Sequence, residues 1–485
     1  MGRQDPLPDF EKDVDWGSLQ EQCVERNSDR YEHPHEPTQS SGMKKFHFPE
    51  VTNDEEEEDE NEREEGEEEE QRNEMPRINR RASPAVNGSS PSYFKREAVI
   101  LRAWEGMAWT PNIIQNVRAM ITELNLHSGG EYSIFIILHC KDGCGNIWSS
   151  DAKYQAAIDQ NIPAEFRHLT IVFDIPLVEA WYPKLNNVAD MNTHMDLLLE
   201  LFALFHPEYA HFWQIELDVR FTGHWYEFFS RAADWGREQP RRGMWERAQK
   251  FYMPSVHHSY ANFTALIAAE SPDGGIWGPV PYENWDKPVG PAPPVDSPLE
   301  DNHEWGVGED PDVLAPAQIL DADQPGIQDF MTSWNPGMPA RSLQSTPVVR
   351  VSRDLALLMH EKQRYEGLDM WSENMPHTFA LLHGLKIAVV PTPVYNIELD
   401  EGGWDPVDVE RLFNRPMGPM NPHSWSMSRG DVANLWLGMS FVWTMGTPEE
   451  HWAHRVLQEW FKMERIGNTR RLGCLPGFLV HPYKP

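Results

Sequence analysis

With 485 residues, 40% of them hydrophobic, the chain is long enough to enclose one large core or two modest ones. A formal net charge of −34 argues against nucleic acid as a partner, because phosphates would be repelled, but admits a nucleotide whose charge a metal offsets. No apolar span approaches the roughly 18 residues of a membrane helix, and the opening MGRQDPLPDFEKDVDWG lacks the apolar centre of a signal peptide. The expectation is a soluble chain, cytoplasmic by default, or Golgi-resident if the N-terminus is incomplete.

The charge is uneven: Asp54–Glu70 holds 14 acidic residues and one arginine. Such a run repels itself and has no apolar surface to bury, so residues 1–92 read as a largely disordered arm containing the acidic run 54–70. Within the arm, Val14–Tyr31 fits one short amphipathic helix and Lys44–Phe48 a short ordered contact. A single α/β domain is expected over residues 93–485.

Ala98–Leu101 is a continuous apolar run, as in a strand buried on both faces. Thr110-Pro111 opens a helix, with a capping side chain followed by a residue that needs no N–H partner. Ile114, Val117, Ile121 and Leu124 continue it at helical spacing until Gly129-Gly130. Tyr132–Leu138 is a second buried strand with His139–Gly143 as its exit loop, and Leu169–Ile175 a third. Thr193–Phe205 predicts a strongly apolar helix, and the stretch FWQIELDVR, Phe212–Arg220, a strand. Helices follow at Trp225–Ala233, Ser352–Glu361 and Trp371–Gly384, with a strand at Leu385–Val390. Residues 272–345 and 391–430 read as loop-rich, and Val432–Trp443 and Glu449–Met463 as closing helices. Alternating strands and helices predict a mostly parallel sheet covered on both faces, whose ligands bind beyond the carboxyl ends of its strands.

Cys140 and Cys144 could form half of a zinc site, though no second pair follows at a fitting spacing; the four cysteines, with Cys23 and Cys474, otherwise read as buried free thiols or admit one disulfide. Twenty tryptophans supply core aromatics first, and stacking platforms for sugars or bases second.

Glu216 and Asp218 stand two residues apart in the Phe212–Arg220 stretch, so in an extended chain both carboxylates share a face. Two such carboxylates need a counter-charge, and hard oxygen ligands suit Mg²⁺ or Mn²⁺. Asp310-Pro311-Asp312 and Asp321-Ala322-Asp323 match the same pattern, but no strand leads into them and they read as surface turns. In Trp371–Tyr395 a serine caps a helix and Glu373 lies in its first turn, as a carboxylate satisfying the helix end or as a base facing the cleft. His481 is a lone histidine that serves structure or completes a metal shell.

In this order the motifs resemble the GT-A group of nucleotide-sugar-dependent glycosyltransferases. Those place an acidic metal motif after the fourth strand and an S/G-E-D helix opening ahead of a GLK…P…V strand. More closely, Val14–Tyr31, Ala98–Asp142, Phe212–Tyr252, Trp305–Leu314, Trp371–Tyr395 and Leu472–Lys484 resemble a fungal family catalogued as domain of unknown function 3405. The resemblance implies a GT-A-like, Rossmann-like mixed sheet with loop-rich insertions, a nucleotide-sugar donor, a divalent metal (Mn²⁺ or Mg²⁺), and an acceptor that is a glycan, lipid or small molecule. It implies Glu216, Asp218 and His481 as metal ligands. It places Arg102, Trp104, Asp142, Arg220 and Trp245 around the nucleotide sugar, and Glu373 as the base, with Glu309 and Asp310 as substitutes. Two departures stand out. Asn374 occupies the place of the group's aspartate, which leaves a non-catalytic glycan-binding or scaffold protein as the alternative. The membrane anchor carried by many members of the fungal family has no counterpart here.

Overall fold

The computed structural model describes residues 14–31, 45–49, 94–141, 144–185, 188–191, 193–221, 223–271, 273–281, 288–316, 318–321, 342–344, 348–368, 370–391, 394–396, 437–439, 441–443 and 479–481. Seven strands form the main sheet: β1 (Arg96–Trp104), β2 (Tyr132–His139), β3 (Thr170–Phe173), β4 (Tyr209–Glu216), β5 (Val313–Ala315), β6 (Val348–Ser352) and β7 (Ile387–Val389). Their order is β3-β2-β1-β4-β6-β5-β7, and β6 alone runs antiparallel to its neighbours β4 and β5. This is the mixed, mostly parallel sheet expected.

Burial on β1 explains why its sequence shows no alternation. Ala98 and Ile100 enter one apolar layer, Val99 and Leu101 the other, and all four are at most 1% exposed. Each face is covered, so every position along the strand must be apolar. Helices α2 (Pro111–Met120) and α5 (Trp225–Glu238), with the N-terminal α1 (Trp16–Arg26), contribute to the layer of Val99 and Leu101. Helices α4 (Asp196–Phe205), α6 (Arg353–Glu361) and α7 (Met375–His383) contribute to the opposite layer. Helix α3 (Asp151–Asn161), which precedes β3, lies against it, and Val172 N donates to Tyr154 Oη at 2.8 Å.

Caps account for several helix starts. Thr110 Oγ1 accepts from Ile113 N at 3.3 Å, and Ser352 Oγ accepts from Leu355 N at 3.2 Å, so both predicted openings hold. The strand expected over Leu169–Ile175 ends at Phe173, because Asp174 accepts from Leu177 N and starts a short helix with Pro176 in its first turn.

The expected arm contains structural residues. Trp16 and Gln20 are buried, and the Gln20 side chain both accepts from Ile134 N (2.7 Å) and donates to Ile134 O (3.1 Å). Since β3 first pairs with β2 at Ile136, this amide substitutes for a missing strand neighbour. Phe46 is 1% exposed, and Trp181 Nε1 donates to His47 O. Tyr31 forms a bridge with Phe94 ahead of β1. The fold therefore uses residues on both sides of the acidic run, and the run itself lies outside the described residues. Two further expectations change. Residues 272–345 supply β5, and the span predicted as a closing helix carries strands at Leu437–Met439 and Phe441–Trp443. The helix expected over Glu449–Met463 lies outside the described residues. Cys140 and Cys144 form a disulfide at the exit of β2.

Candidate active site

Strand parity sets the site. Arg102 lies two residues beyond Ile100 on β1, and Glu216 two beyond Gln214 on β4, so both face the layer holding α4 and α7. They are direct register partners, and Arg102 Nη2 lies 3.4 Å from Glu216 Oε1. Glu373 arrives at the same place from the loop ahead of α7. Burial raises its pKa above the usual carboxylate value, Glu216's charge adds to the rise, and Arg102 opposes it. Arg102, Glu216 and Glu373 thus converge at the carboxyl end of the two central strands.

Ser372 does something other than its sequence suggests. The helix behind it begins at Met375 with Asn374 at the cap position, and Ser372 Oγ accepts instead from Met195 N (2.6 Å) and Asp196 N (3.3 Å) while donating to Thr193 O (3.1 Å). Ser372 N also donates to Thr193 O at 2.9 Å. The Glu373 loop is therefore clasped to the start of α4. Glu373 precedes its helix rather than lying in the first turn, and burial raises its pKa even though its own backbone N–H bonds the carboxylate and pulls the other way.

The E-x-D motif is split by a turn. The strand ends at Glu216, and Val219 N returns to Glu216 O at 3.0 Å, so Asp218 sits on the turn and not on a shared strand face. Arg220 braces that turn by donating from Nη1 to Leu217 O and Val219 O. Burial lowers the Arg220 pKa to about 10 against the pull of Asp218. The C-terminal strand Leu479–His481 runs alongside, with Val480 opposite Arg220. The backbone of His481 is therefore next to the turn, while its side chain lies outside the described residues. Among the described residues no group of three or more His, Cys, Asp or Glu side chains is set to hold a metal. Glu216 and Asp218 are each only partly buried and supply hard oxygens, a donor set that fits Mg²⁺ or Mn²⁺.

The other expected residues divide. Trp104 ends β1 opposite His139, on the same sheet edge. Asp142 lies outside the described residues, within the loop that the disulfide closes. Trp245 is 2% exposed in the core, which leaves its ring no stacking face. Glu309 and Asp310 lie at the opposite end of the sheet. Arg241 pairs with Glu309 at 2.7 Å, and Arg237 with Asp310 at 2.9 Å. Asp310 also lies 3.7 Å from Arg350, whose guanidinium grips Glu97 near the amino end of β1. From Glu97 to Arg102 is five residues of strand, about 16 Å. Burial works against ionisation of Asp310, but His211, Arg350 and Arg237 outweigh it and hold the carboxyl well below the usual range. Neither residue is placed to act as the base.

Asp196 is the site residue that pattern reading missed. It opens α4, is 2% exposed, and is pushed up to about 8 by burial and by Glu373's charge, against Arg102 and His194. A signal was present: DLLLELFALF is apolar except for two acids one turn apart.

The sequence matches the family described as protein of unknown function (DUF3405) over residues 4–485. The chain belongs to that family. No curated protein matches it. Among solved structures, the DUF3405 chain is similar to the apo form of mouse xyloside xylosyltransferase 1, with 10% identity, a TM-score of 0.22, and coverage of 61% of this chain and 85% of that one. It is also similar to the mannosyltransferase Ktr4p of S. cerevisiae, with 12% identity, a TM-score of 0.21, and coverage of 82% and 91%. These likenesses are too slight to transfer any residue's role to the DUF3405 chain.

Proposed function

We propose that this chain is a glycosyltransferase that moves a sugar from a nucleoside-diphosphate donor to an acceptor hydroxyl. The observation that carries the reading is the convergence of Arg102, Glu216 and Glu373 at the carboxyl end of β1 and β4, with Asp218 on the turn that follows. In this reading Glu216 and Asp218 hold Mn²⁺ or Mg²⁺, which when bound supplies positive charge for the departing diphosphate. Arg220 keeps the Asp218 turn in shape. Glu373 takes the proton of the acceptor hydroxyl; burial brings its proton affinity closer to neutral pH, where a base is most effective. Arg102 holds Glu216 in register and balances part of the acidic charge.

The second reading, a glycan-binding scaffold, is favoured by one observation. Asn374 stands where the GT-A pattern has aspartate; its side-chain amide cannot act as a carboxylate base, and it is fully buried, away from an acceptor. A thermal-shift screen of nucleoside-diphosphate sugars with and without Mn²⁺ separates the two. A Mn²⁺-dependent stabilisation is expected from the wild type. Asp218→Asn should weaken that nucleotide binding tenfold or more, about 1.4 kcal/mol, because a neutral ligand replaces a charged one. Equal affinity in wild type and variant removes Asp218 from the metal site, and no stabilisation by any donor favours the scaffold.

A further inference from the structure

The helix Tyr260–Glu270 has an inner and an outer face. Phe263 and Ile267 are buried, and the Phe263 ring lies 5.7 Å from Tyr252 and 5.0 Å from His257. Ala265, Leu266 and Ala269 stand three, four and seven residues after Asn262, so the four share the opposite face, and all are exposed. Leu266 is 43% exposed. A single exposed leucine is ordinary on a protein surface. Here an exposed apolar strip follows directly from an exposed asparagine at the start of the same helix.

Asn262-Phe263-Thr264 reads Asn-x-Thr with a middle residue other than proline, the acceptor pattern for an N-linked oligosaccharide. The pattern is short, and two features of the structure give it weight. Asn262 enters the helix cap through its backbone N–H, which donates to Ser259 Oγ at 3.1 Å, while the residue itself stays exposed. The second feature is the Cys140–Cys144 disulfide, whose Cys140 is 1% exposed. Disulfides form and persist on the oxidising secretory route, where such oligosaccharides are attached. A second match, Asn87-Gly88-Ser89, lies outside the described residues.

We propose that Asn262 is an N-glycosylation site whose sugar lies along the exposed face of Ala265, Leu266 and Ala269. The co-reactant is an oligosaccharide carried on a lipid diphosphate. Asn262 Nδ2 bonds C1 of the first sugar, and the bond from C1 to the diphosphate oxygen breaks. The electron pair of that bond leaves with the diphosphate, and Nδ2 gives up one proton to the transferring enzyme. Thr264 supplies the hydroxyl that this enzyme reads. In the folded helix Thr264 Oγ1 donates to Ala261 O at 2.9 Å, so the transfer belongs to the chain before this helix forms. Sugar rings present C–H faces, and laid along the helix they shield Leu266 and its neighbouring alanines from water. The inference stands apart from the transferase reading. Of the two locations expected from the sequence, it requires the one on the secretory route.

The test is made on the full chain isolated from its native cells. Peptide-N-glycosidase in H₂¹⁸O converts a glycosylated asparagine into an ¹⁸O-labelled aspartate, which peptide mass spectrometry locates. The label is expected at position 262. An unmodified Asn262, or a label at Asn87 alone, overturns the proposal. Expressed in the same cells, Thr264→Ala should lose the label and Thr264→Ser should keep it; a label at 262 in Thr264→Ala would overturn the assignment to this pattern. The readout is taken on digested chain, so it does not depend on whether the variant folds. Cover of the face is read separately, by the fluorescence of an apolar dye before and after the sugar is released from folded wild type. Fluorescence should rise on release, and Leu266→Ser should abolish the rise. Unchanged fluorescence in the wild type would overturn the placement of the sugar on the helix.

Discussion

Replacing Gln20 by alanine tests whether the N-terminal helix is part of the domain. Its side-chain amide bonds both backbone polar groups of Ile134, at 2.7 and 3.1 Å, on the edge of β2 that β3 is too short to cover. Gln20 is 4% exposed and Ile134 fully buried, so water has poor access to the groups left behind. A buried backbone group without a partner costs about 1–3 kcal/mol, and with partial water entry the two together should cost about 2–4 kcal/mol. Urea unfolding followed by tryptophan fluorescence reads this as a lowered midpoint at constant slope. Leu19, exposed on the same helix, is the control, and Leu19→Ala should change stability by less than about 0.5 kcal/mol. Deleting residues 50–75 should also leave the midpoint nearly unchanged, because apart from Val51 and Met75 their composition offers no apolar surface to bury. A Gln20→Ala protein as stable as wild type would show that α1 is not docked on β2, and the domain would then begin near residue 93.

Two further substitutions separate chemistry from scaffold. Glu373→Gln keeps shape and loses basicity, so sugar transfer should fall by a factor of roughly 10² to 10⁴ with nucleotide and metal binding intact; transfer at the wild-type rate would reduce Glu373 to a loop carboxylate. Glu97→Gln leaves Arg350, 1% exposed, without its counter-charge, and equilibrium unfolding should register a loss of about 3–5 kcal/mol. A loss below about 1 kcal/mol would mean that the pair is replaceable by the neighbouring Asp310.

The sequence was readable where a local rule decides the structure. Continuous apolar runs located β1, β2 and β4, and a cap located Thr110, because two covered faces and one hydrogen bond leave a mark within a few residues. Three-residue β5 leaves no such mark. Val313–Ala315 is too short to show a period, and its partners in the sheet, β6 and β7, lie far along the chain. Val432–Trp443 misled for a related reason: its apolar spacing suits a helix, yet Leu437–Met439 and Phe441–Trp443 pair with Val394–Asn396 and Leu479–His481. At the site, Glu216 was legible as the end of an apolar strand, whereas the turn at Asp218 depends on Arg220 folding back on two carbonyls. Ser372 reads as a cap for its own helix and caps another one, a tertiary choice that no local pattern records.

The two ends of the sheet follow opposite electrostatic rules, and that contrast explains which acids are candidates for chemistry. At the amino end several acids are each matched by an arginine, although Glu131, just ahead of β2, is pushed up by burial and by the charge of Glu97. Arg350 takes Glu97, Arg237 takes Asp310, and Arg241 takes Glu309, while the Lys386 ammonium donates to the carbonyls of Arg237, Gly306 and Glu309. Asp312, which resembles a metal motif in sequence, bonds Ser352 Oγ and Lys386 N across β5, β6 and β7. Asp310, held this way, has lost its basicity, as its low pKa records. At the carboxyl end Glu216, Glu373 and Asp196 share the field of Arg102, and burial pushes the last two carboxyls up rather than down. Matched charges lock strands together; an excess of carboxyls raises proton affinity and invites a cation. In the proposed reading the sheet keeps its stability at one end and its chemistry at the other, so an acidic motif in this chain acquires meaning from the end of the strand on which it falls.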